Sequence, residues 1–280
     1  MPGISLEGVS VRFDGARALG DVSLEVEAGE QLAVIGASGA GKSTLFRALT
    51  RSVPLERGRI VVGGEDLYAL PRRRLGGLRR RVGTIYQAYN LVPQLPAGVN
   101  VSLGEVGSMG GLGTLRAFLA GPEAGLAKRV RAALEEVGLG EKAGVRTADL
   151  SGGQQQRVAV ARLLVQRPGL ILADEPFAAV DPVTTRRVLG ALRHLNREGA
   201  TLVVNLHDVE IARRFPRVVA LREGRVVFDG PPERLTEAAL AEIYAGDPRI
   251  EEGAPDPPFA RHGVESPISL TEGRDGVSSH

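Results

Sequence analysis

The segment Gly36-Ala37-Ser38-Gly39-Ala40-Gly41-Lys42-Ser43 reads Gly-x4-Gly-Lys-Ser, between an apolar run from Gln31 to Ile35 and a helix-forming run from Ser43 to Arg51. A strand before and a helix after is the setting in which such a loop holds a nucleoside triphosphate. Phosphate oxygens need several donors at close range; glycines let backbone N–H groups approach, and a helix N-terminus adds positive potential. Lys42 is expected on the β and γ phosphates, Ser43 on Mg²⁺, and Thr44 in a further phosphate contact.

Leu170-Ile171-Leu172-Ala173-Asp174-Glu175 is an apolar run that ends in two adjacent carboxylates. Strand alternation turns them to opposite sides, so one can face a metal and the next an attacking water. Asp174 is expected to reach Mg²⁺ through water, and Glu175 to act as general base at the γ-phosphate. Leu150-Ser151-Gly152-Gly153-Gln154 opens another helix, with Ser151 as N-cap and two glycines exposing backbone donors, which makes a second anion site.

The elements that must carry these groups follow from the apolar pattern. Ile4 to Phe13 and Val22 to Val26 alternate as strands around a Gly15 turn, and strand and helix signals then succeed one another: Val82 to Tyr86 as a strand, Gly153 to Pro168 as a helix, Leu170 to Ala173 as a strand, Pro182 to Gly199 as a helix, Leu202 to Leu206 as a strand. This predicts an α/β fold with a mixed β core and an antiparallel β start. Leu126, Val130, Ala133, Leu134 and Val137 are spaced for a helix, which predicts a helical subdomain of about 91–165 inserted between strands. Glu223-Gly224 predicts a hairpin between Val218 and Asp229. The expected organisation is one domain over 1–246, followed by a disordered Pro- and Gly-rich tail over 247–280.

Composition narrows the classes. The 280 residues contain no cysteine, which excludes disulfides and thiolate metal sites, and the net charge of +2 does not imply a bulk nucleic-acid binder. The start carries Glu7 and no apolar stretch of the kind a secretory signal needs. Val82 to Gly104 lacks Asp, Glu, Lys and Arg, but its prolines and amides point to loop and strand and not to a membrane span. Arg72, Arg73, Arg74, Arg79, Arg80 and Arg81 form two basic triplets; without interleaved aromatics to stack bases, a solvated amphipathic helix is the expected form.

Two anion sites are one more than a single γ-phosphate needs, and here the chain resembles the ATP-binding cassette (ABC) ATPases over roughly Ile4 to Tyr244. The resemblance implies a P-loop ATPase fold, ATP and Mg²⁺ as ligands, and a head-to-tail dimer of two copies. In such a dimer Ser151, Gly152, Gly153 and Gln154 of one copy close over nucleotide held by the phosphate loop of the other. It also implies further roles. Phe13 matches the aromatic that stacks on adenine, Gln87 the glutamine that contacts Mg²⁺ and attacking water, and His207 the histidine that grips the γ-phosphate. Asp181 matches the aspartate of the loop after the acidic pair, counted with the nucleotide-binding residues. Ala178-Ala179-Val180-Asp181 departs from the family's usual Ser-Ala-Leu-Asp, which puts coupling between the two sites in question.

The short interval between Gly41 and Ser151 leaves no room for the long coiled coil of chromosome and repair ATPases, and translation-factor relatives carry two cassettes. The resemblance therefore implies the ATPase of a membrane importer, peripheral on the cytoplasmic face, working with transmembrane permease subunits and an extracytoplasmic substrate-binding protein, without nucleic acid. The segment Tyr86 to Gly104 is expected to help form the groove that receives the permease. Asn100-Val101, Thr114-Leu115-Arg116, Leu206 to Phe215 and Val226 to Pro232 are similar to the ATP-binding subunits of phosphonate importers. Phosphonates or related phosphorus oxyanions are the expected cargo, with polar amino acids or another small solute as the alternative, and soluble work on DNA or ribosomes or a bare nucleotide-binding module behind them.

Overall fold

The computed structural model describes residues 3–13, 15–86, 89–106, 124–177 and 181–245. Among the described residues ten strands form two sheets. β1 (Ile4–Phe13) and β2 (Ala16–Val26) form the expected hairpin, extended by β4 (Arg57–Val62) and the short β5 (Glu65–Asp66) into an antiparallel sheet of order β2-β1-β4-β5. The second sheet has the order β10-β9-β3-β8-β7-β6, made of β3 (Gln31–Ile35), β6 (Val82–Ile85), β7 (Leu170–Asp174), β8 (Thr201–Asn205), β9 (Arg217–Arg222) and β10 (Arg225–Gly230). All its neighbours run parallel except β9 and β10, which form the hairpin predicted at Glu223-Gly224.

Burial explains why the parallel strands read as unbroken apolar runs. β8 is buried at all five positions, and β3 at four of five, because both faces of this sheet are covered. Alternation sorts the faces. Leu32 and Val34 of β3 join a core shared with Leu6, Leu24 and Ile60 of the antiparallel sheet, whereas Ala33 and Ile35 join a core shared with the helices behind. The sheet therefore holds two layers together, and the ends of β3, β7 and β8 present their following residues side by side.

Among the described residues the α-helices are α1 (Lys42–Leu49), α2 (Arg72–Arg81), α3 (Ala97–Val106), α4 (Ala124–Glu136), α5 (Gly152–Gln166), α6 (Pro182–Arg197), the one-turn α7 (Val209–Ala212) and α8 (Glu237–Ile243). Val101, Leu126, Val130, Leu134 and Val158 pack α3, α4 and α5 into a helical block. α2 is the expected amphipathic helix: Leu75 and Leu78 are buried and all six arginines are exposed.

The reading of Val82 to Gly104 as loop and strand is corrected at its end, where α3 occupies the residues from Ala97 onward. The polar residue that argued against a helix is what starts it. Asn100 is fully buried; its Oδ1 accepts from the N–H of Val92 at 2.8 Å, and its Nδ2 donates to the Val92 carbonyl at 2.9 Å and to Thr147 Oγ1 at 2.9 Å. One side chain thus folds the Val92 to Pro96 loop onto the first turn. Gln87, Ala178 to Val180, Thr114 to Arg116 and the tail lie outside the described residues. Among the described residues no helix is long and apolar enough to cross a membrane.

Candidate functional site

β3 runs through the middle of the sheet, and the chain leaves its end through Gly36. Gly36, Gly39 and Gly41 have φ of +144°, +77° and +102°. A Cβ on Gly36 would collide with the Leu221 carbonyl, and one on Gly41 would stand 2.6 Å from the Ala18 carbonyl. These two glycines are therefore required by neighbouring backbone, whereas Gly39 faces open space and owes its identity to φ. Ala37, Ser38 and Ala40 complete the turn, and the Ala40 carbonyl accepts from Gly224 N–H at 3.0 Å, which ties the loop to the β9–β10 hairpin.

α1 begins at Gly41 with no side-chain cap and no acidic residue in its first turn, so its leading N–H groups point at the loop's concavity. Lys42 lies within it at 5% exposure, its ammonium donating to the carbonyls of Gly36 at 2.6 Å and Ala37 at 2.9 Å. Ser43 is exposed and Thr44 half-buried beside it. Phe13 ends β1 at the hairpin whose Ala18 and Leu19 crowd Gly41, and it is one of the exposed large apolar side chains.

Asp174 ends β7 next to β8, where Asn205 Nδ2 donates to its carboxylate. Burial raises the Asp174 pKa above its ordinary value, and the Glu175 charge adds to the rise; the Asn205 hydrogen bond, Lys42 and Arg47 pull it down. Glu175 has φ of +52°, a conformation costly for a residue with a side chain, and its N–H donates to the Asn205 carbonyl at 3.1 Å. The turn aims Glu175 at His207, and Oε1 lies 2.6 Å from His207 Nε2. Asn205 thus fixes both carboxylates, and sequence reasoning passed over it; its signal was a polar residue closing the apolar run before Leu206-His207. Its Oδ1 is buried with no hydrogen-bond partner among the described residues. Ser43, Arg47, Thr84, Tyr86 and Asp174 line one cleft.

The second glycine segment sits elsewhere, at the start of α5. Ser151 Oγ accepts from Gln154 N–H at 3.3 Å while Gln154 Oε1 accepts from Ser151 N–H at 3.0 Å, a reciprocal cap. The backbone of Gly152 and Gly153 is left at the exposed positive end of a fifteen-residue helix. Asp181 caps α6: its carboxylate accepts from Thr184 Oγ1 at 2.6 Å and from the N–H groups of Val183 at 2.9 Å and Thr184 at 3.0 Å, which hold its pKa down at about 2. The structure therefore gathers Gly36 to Thr44, Asp174, Glu175 and His207 around one place, and leaves Ser151 to Gln154 on a different helix.

Residues 19–178 match the ABC transporter family. The chain belongs to that family. Its cassette is 41% identical over 244 residues to a phosphonates import ATP-binding protein of Halalkalibacterium halodurans, covering 86% of this chain and 93% of the relative. It is 43% identical over 263 residues to one of Paraburkholderia xenovorans, covering 91% and 86%. Among solved structures, a dimeric ATP-binding cassette in a post-hydrolysis state with ADP and Pi superposes with a TM-score of 0.71 at 32% identity, covering 82% of this chain and 98% of that one. As an ABC ATPase the protein binds ATP and couples its hydrolysis to transport; cassettes of this kind are dimeric, and import cassettes work at the membrane with permease subunits.

Proposed function

We propose that this cassette powers an importer of phosphonates or related phosphorus oxyanions, with an extracytoplasmic binding protein delivering the cargo to the permease. The observation that carries the substrate is the name shared by relatives that align over most of both chains, phosphonates import ATP-binding protein. Deleting the gene is expected to abolish growth on a phosphonate as sole phosphorus source, with complementation restoring it. Unchanged growth together with lost uptake of an amino acid would contradict the assignment.

The chemistry proposed for each residue follows from its surroundings. The α1 N–H groups and Lys42 take the β and γ phosphates, Lys42 exchanging the Gly36 and Ala37 carbonyls for phosphate oxygens. Thr44 adds a contact, and Phe13 supplies an exposed ring for the adenine. Mg²⁺ fits this donor set: a carboxylate destabilised by burial, a hydroxyl in the same cleft and the orphaned Asn205 Oδ1 are hard oxygens that a divalent ion or its water would satisfy. Ser43 and Asp174, with Gln87, would hold the ion, which would neutralise charge on the phosphates.

Glu175 is the proposed general base, taking the proton of the water that attacks the γ-phosphate. In this geometry His207 holds that carboxylate, so an incoming γ-phosphate and Glu175 compete for one Nε2. Drawing His207 toward phosphate frees Glu175 for the water. The exposed Ser151 to Gln154 cap has no phosphate of its own in this chain, and we assign it to the nucleotide of a second copy in a head-to-tail dimer, with Asp181 shaping the loop between the two sites. ATP then draws the copies together, and hydrolysis removes the bridge. Residues 1–246 would form the working domain, the helical block within about 91–165, and 247–280 would carry none of these contacts.

A further inference from the structure

α5 carries more than the second anion site. Eleven residues beyond Ser151, near its far end, Arg162 extends toward the segment that follows β6. Its Nη1 donates to the Asn90 carbonyl at 2.7 Å and its Nη2 to the Tyr89 carbonyl at 3.3 Å. Both carbonyls belong to residues with positive φ, +58° at Tyr89 and +47° at Asn90. Asparagine adopts this conformation readily but tyrosine does not, so the Tyr89 backbone persists only where its surroundings hold it. Arg162 is half-buried, burial lowers its pKa, and the two carbonyls replace water as acceptors for its guanidinium.

The side chain of Tyr89 completes the arrangement. Its hydroxyl lies 3.8 Å from where a side chain on Gly152 would begin, at the opposite end of α5. Ten residues of α-helix separate Gly152 from Arg162, about 15 Å at 1.5 Å per residue. The Arg162 side chain reaching back along α5 and the Tyr89 ring together cover this span, with the Tyr89 carbonyl held by the guanidinium and its phenol at the start of the helix. On another face, a Cβ on Gly104 of α3 would collide with the Arg162 carbonyl, so α3 is packed directly against the α5 backbone at the same level. At the other end of the segment, Tyr86 lines the cleft that contains Ser43 and Asp174.

We infer that Arg162 and Tyr89 are positioning residues for the composite nucleotide site: the Arg162 fork locks Tyr89 along α5, and Tyr89 sets the place of the Gly152-Gly153 donors relative to the cleft at Asp174. This rests on the proposed assignment of Ser151 to Gln154 to a partner's nucleotide. Neither residue lines the cleft that contains Ser43 and Asp174, so their loss is expected to affect closure and not nucleotide capture.

The test uses the full chain in a Glu175→Gln background, which is expected to collect as an ATP-bound dimer. Sedimentation at saturating ATP and Mg²⁺ gives the protein concentration at half dimerisation, and a fluorescent nucleotide gives the affinity of the monomer. Arg162→Met and Tyr89→Ala are each expected to raise the half-dimerisation concentration at least tenfold, leave nucleotide affinity within twofold, and Tyr89→Phe is expected to restore most of the closure. Equal dimerisation in all the variants overturns the inference. So does a matching loss of nucleotide affinity, which would mark a general structural defect. If Arg162→Met does not fold, the Tyr89 pair decides alone. A Glu175→Gln parent that does not dimerise would count against the composite site itself, and so be told apart from a failure of Arg162 and Tyr89.

Discussion

Nε2 of His207 stands 2.6 Å from Oε1 of Glu175, joining the residue after β7 to the residue that follows β8 and Leu206. Two adjacent parallel strands deliver these groups, and Asn205 sets the spacing, since its carbonyl accepts from Glu175 N–H while its amide grips Asp174. The proposed base is therefore held by the same residue that is proposed to engage the γ-phosphate.

His207→Ala removes a donor needed as charge moves on the γ-phosphate. Loss of one such donor costs roughly 10²- to 10³-fold in turnover. Single-turnover hydrolysis is expected to fall by about that factor, while equilibrium titration shows ATP affinity changed only a few-fold. A wild-type rate in this variant would remove His207 from the mechanism.

Asp174 gives a prediction in pH. Its folded pKa lies above the unfolded value of 3.8, chiefly through burial, so the fold favours the protonated form. That contribution is complete below pH 3.8 and is lost as pH rises through the folded pKa. Asp174→Asn cannot ionise and can still accept from Asn205. Without nucleotide or metal, the variant should melt above the wild type at pH 7, with the gap narrowing toward pH 4, and should have lost hydrolysis. A lower melting temperature at pH 7 would contradict the burial argument.

Gly41 is fixed by both φ and contact. Gly41→Ala places a Cβ 2.6 Å from the Ala18 carbonyl at φ of +102°. Strain of this kind costs on the order of 1–3 kcal/mol. Denaturant unfolding should show a loss of that order with an unchanged slope, and ATP affinity should fall because the loop is displaced at the start of α1. Gly39→Ala, facing open space, should lose less stability.

How far the sequence carried these conclusions depends on whether the signal was local. Gly36 to Ser43 and Leu170 to Glu175 state their geometry within a few residues, because a glycine pattern or an apolar run bounded by charge is the physical cause of the turn or strand. The faces of β3 were not legible, since Leu32 to Ile35 are all apolar and only the structure sorts them between two cores. Nor was β4: Arg57-Gly58-Arg59 is exposed and polar, and it becomes a strand only because β1 pairs with it at long range. α3 was hidden for a similar reason, since Asn100 reads as a helix-disfavouring polar residue until Val92 and Thr147 supply its partners. Asn205, Arg162 and Tyr89 act through neighbours distant in the chain, and residue type alone does not show those neighbours. The resemblance supplied what spacing could not, the idea that Ser151 serves another copy's nucleotide.

That idea is the central claim, and sedimentation of three variants with and without ATP and Mg²⁺ tests it most directly. Removing a general base commonly costs about 10²- to 10⁴-fold. Glu175→Gln is therefore expected to bind ATP, scarcely hydrolyse it and sediment as a dimer, with Lys42→Ala remaining monomeric for want of nucleotide and Ser151→Arg remaining monomeric although it binds ATP. A Glu175→Gln protein that stays monomeric at saturating ATP and hydrolyses at the wild-type rate would contradict both the base and the shared site.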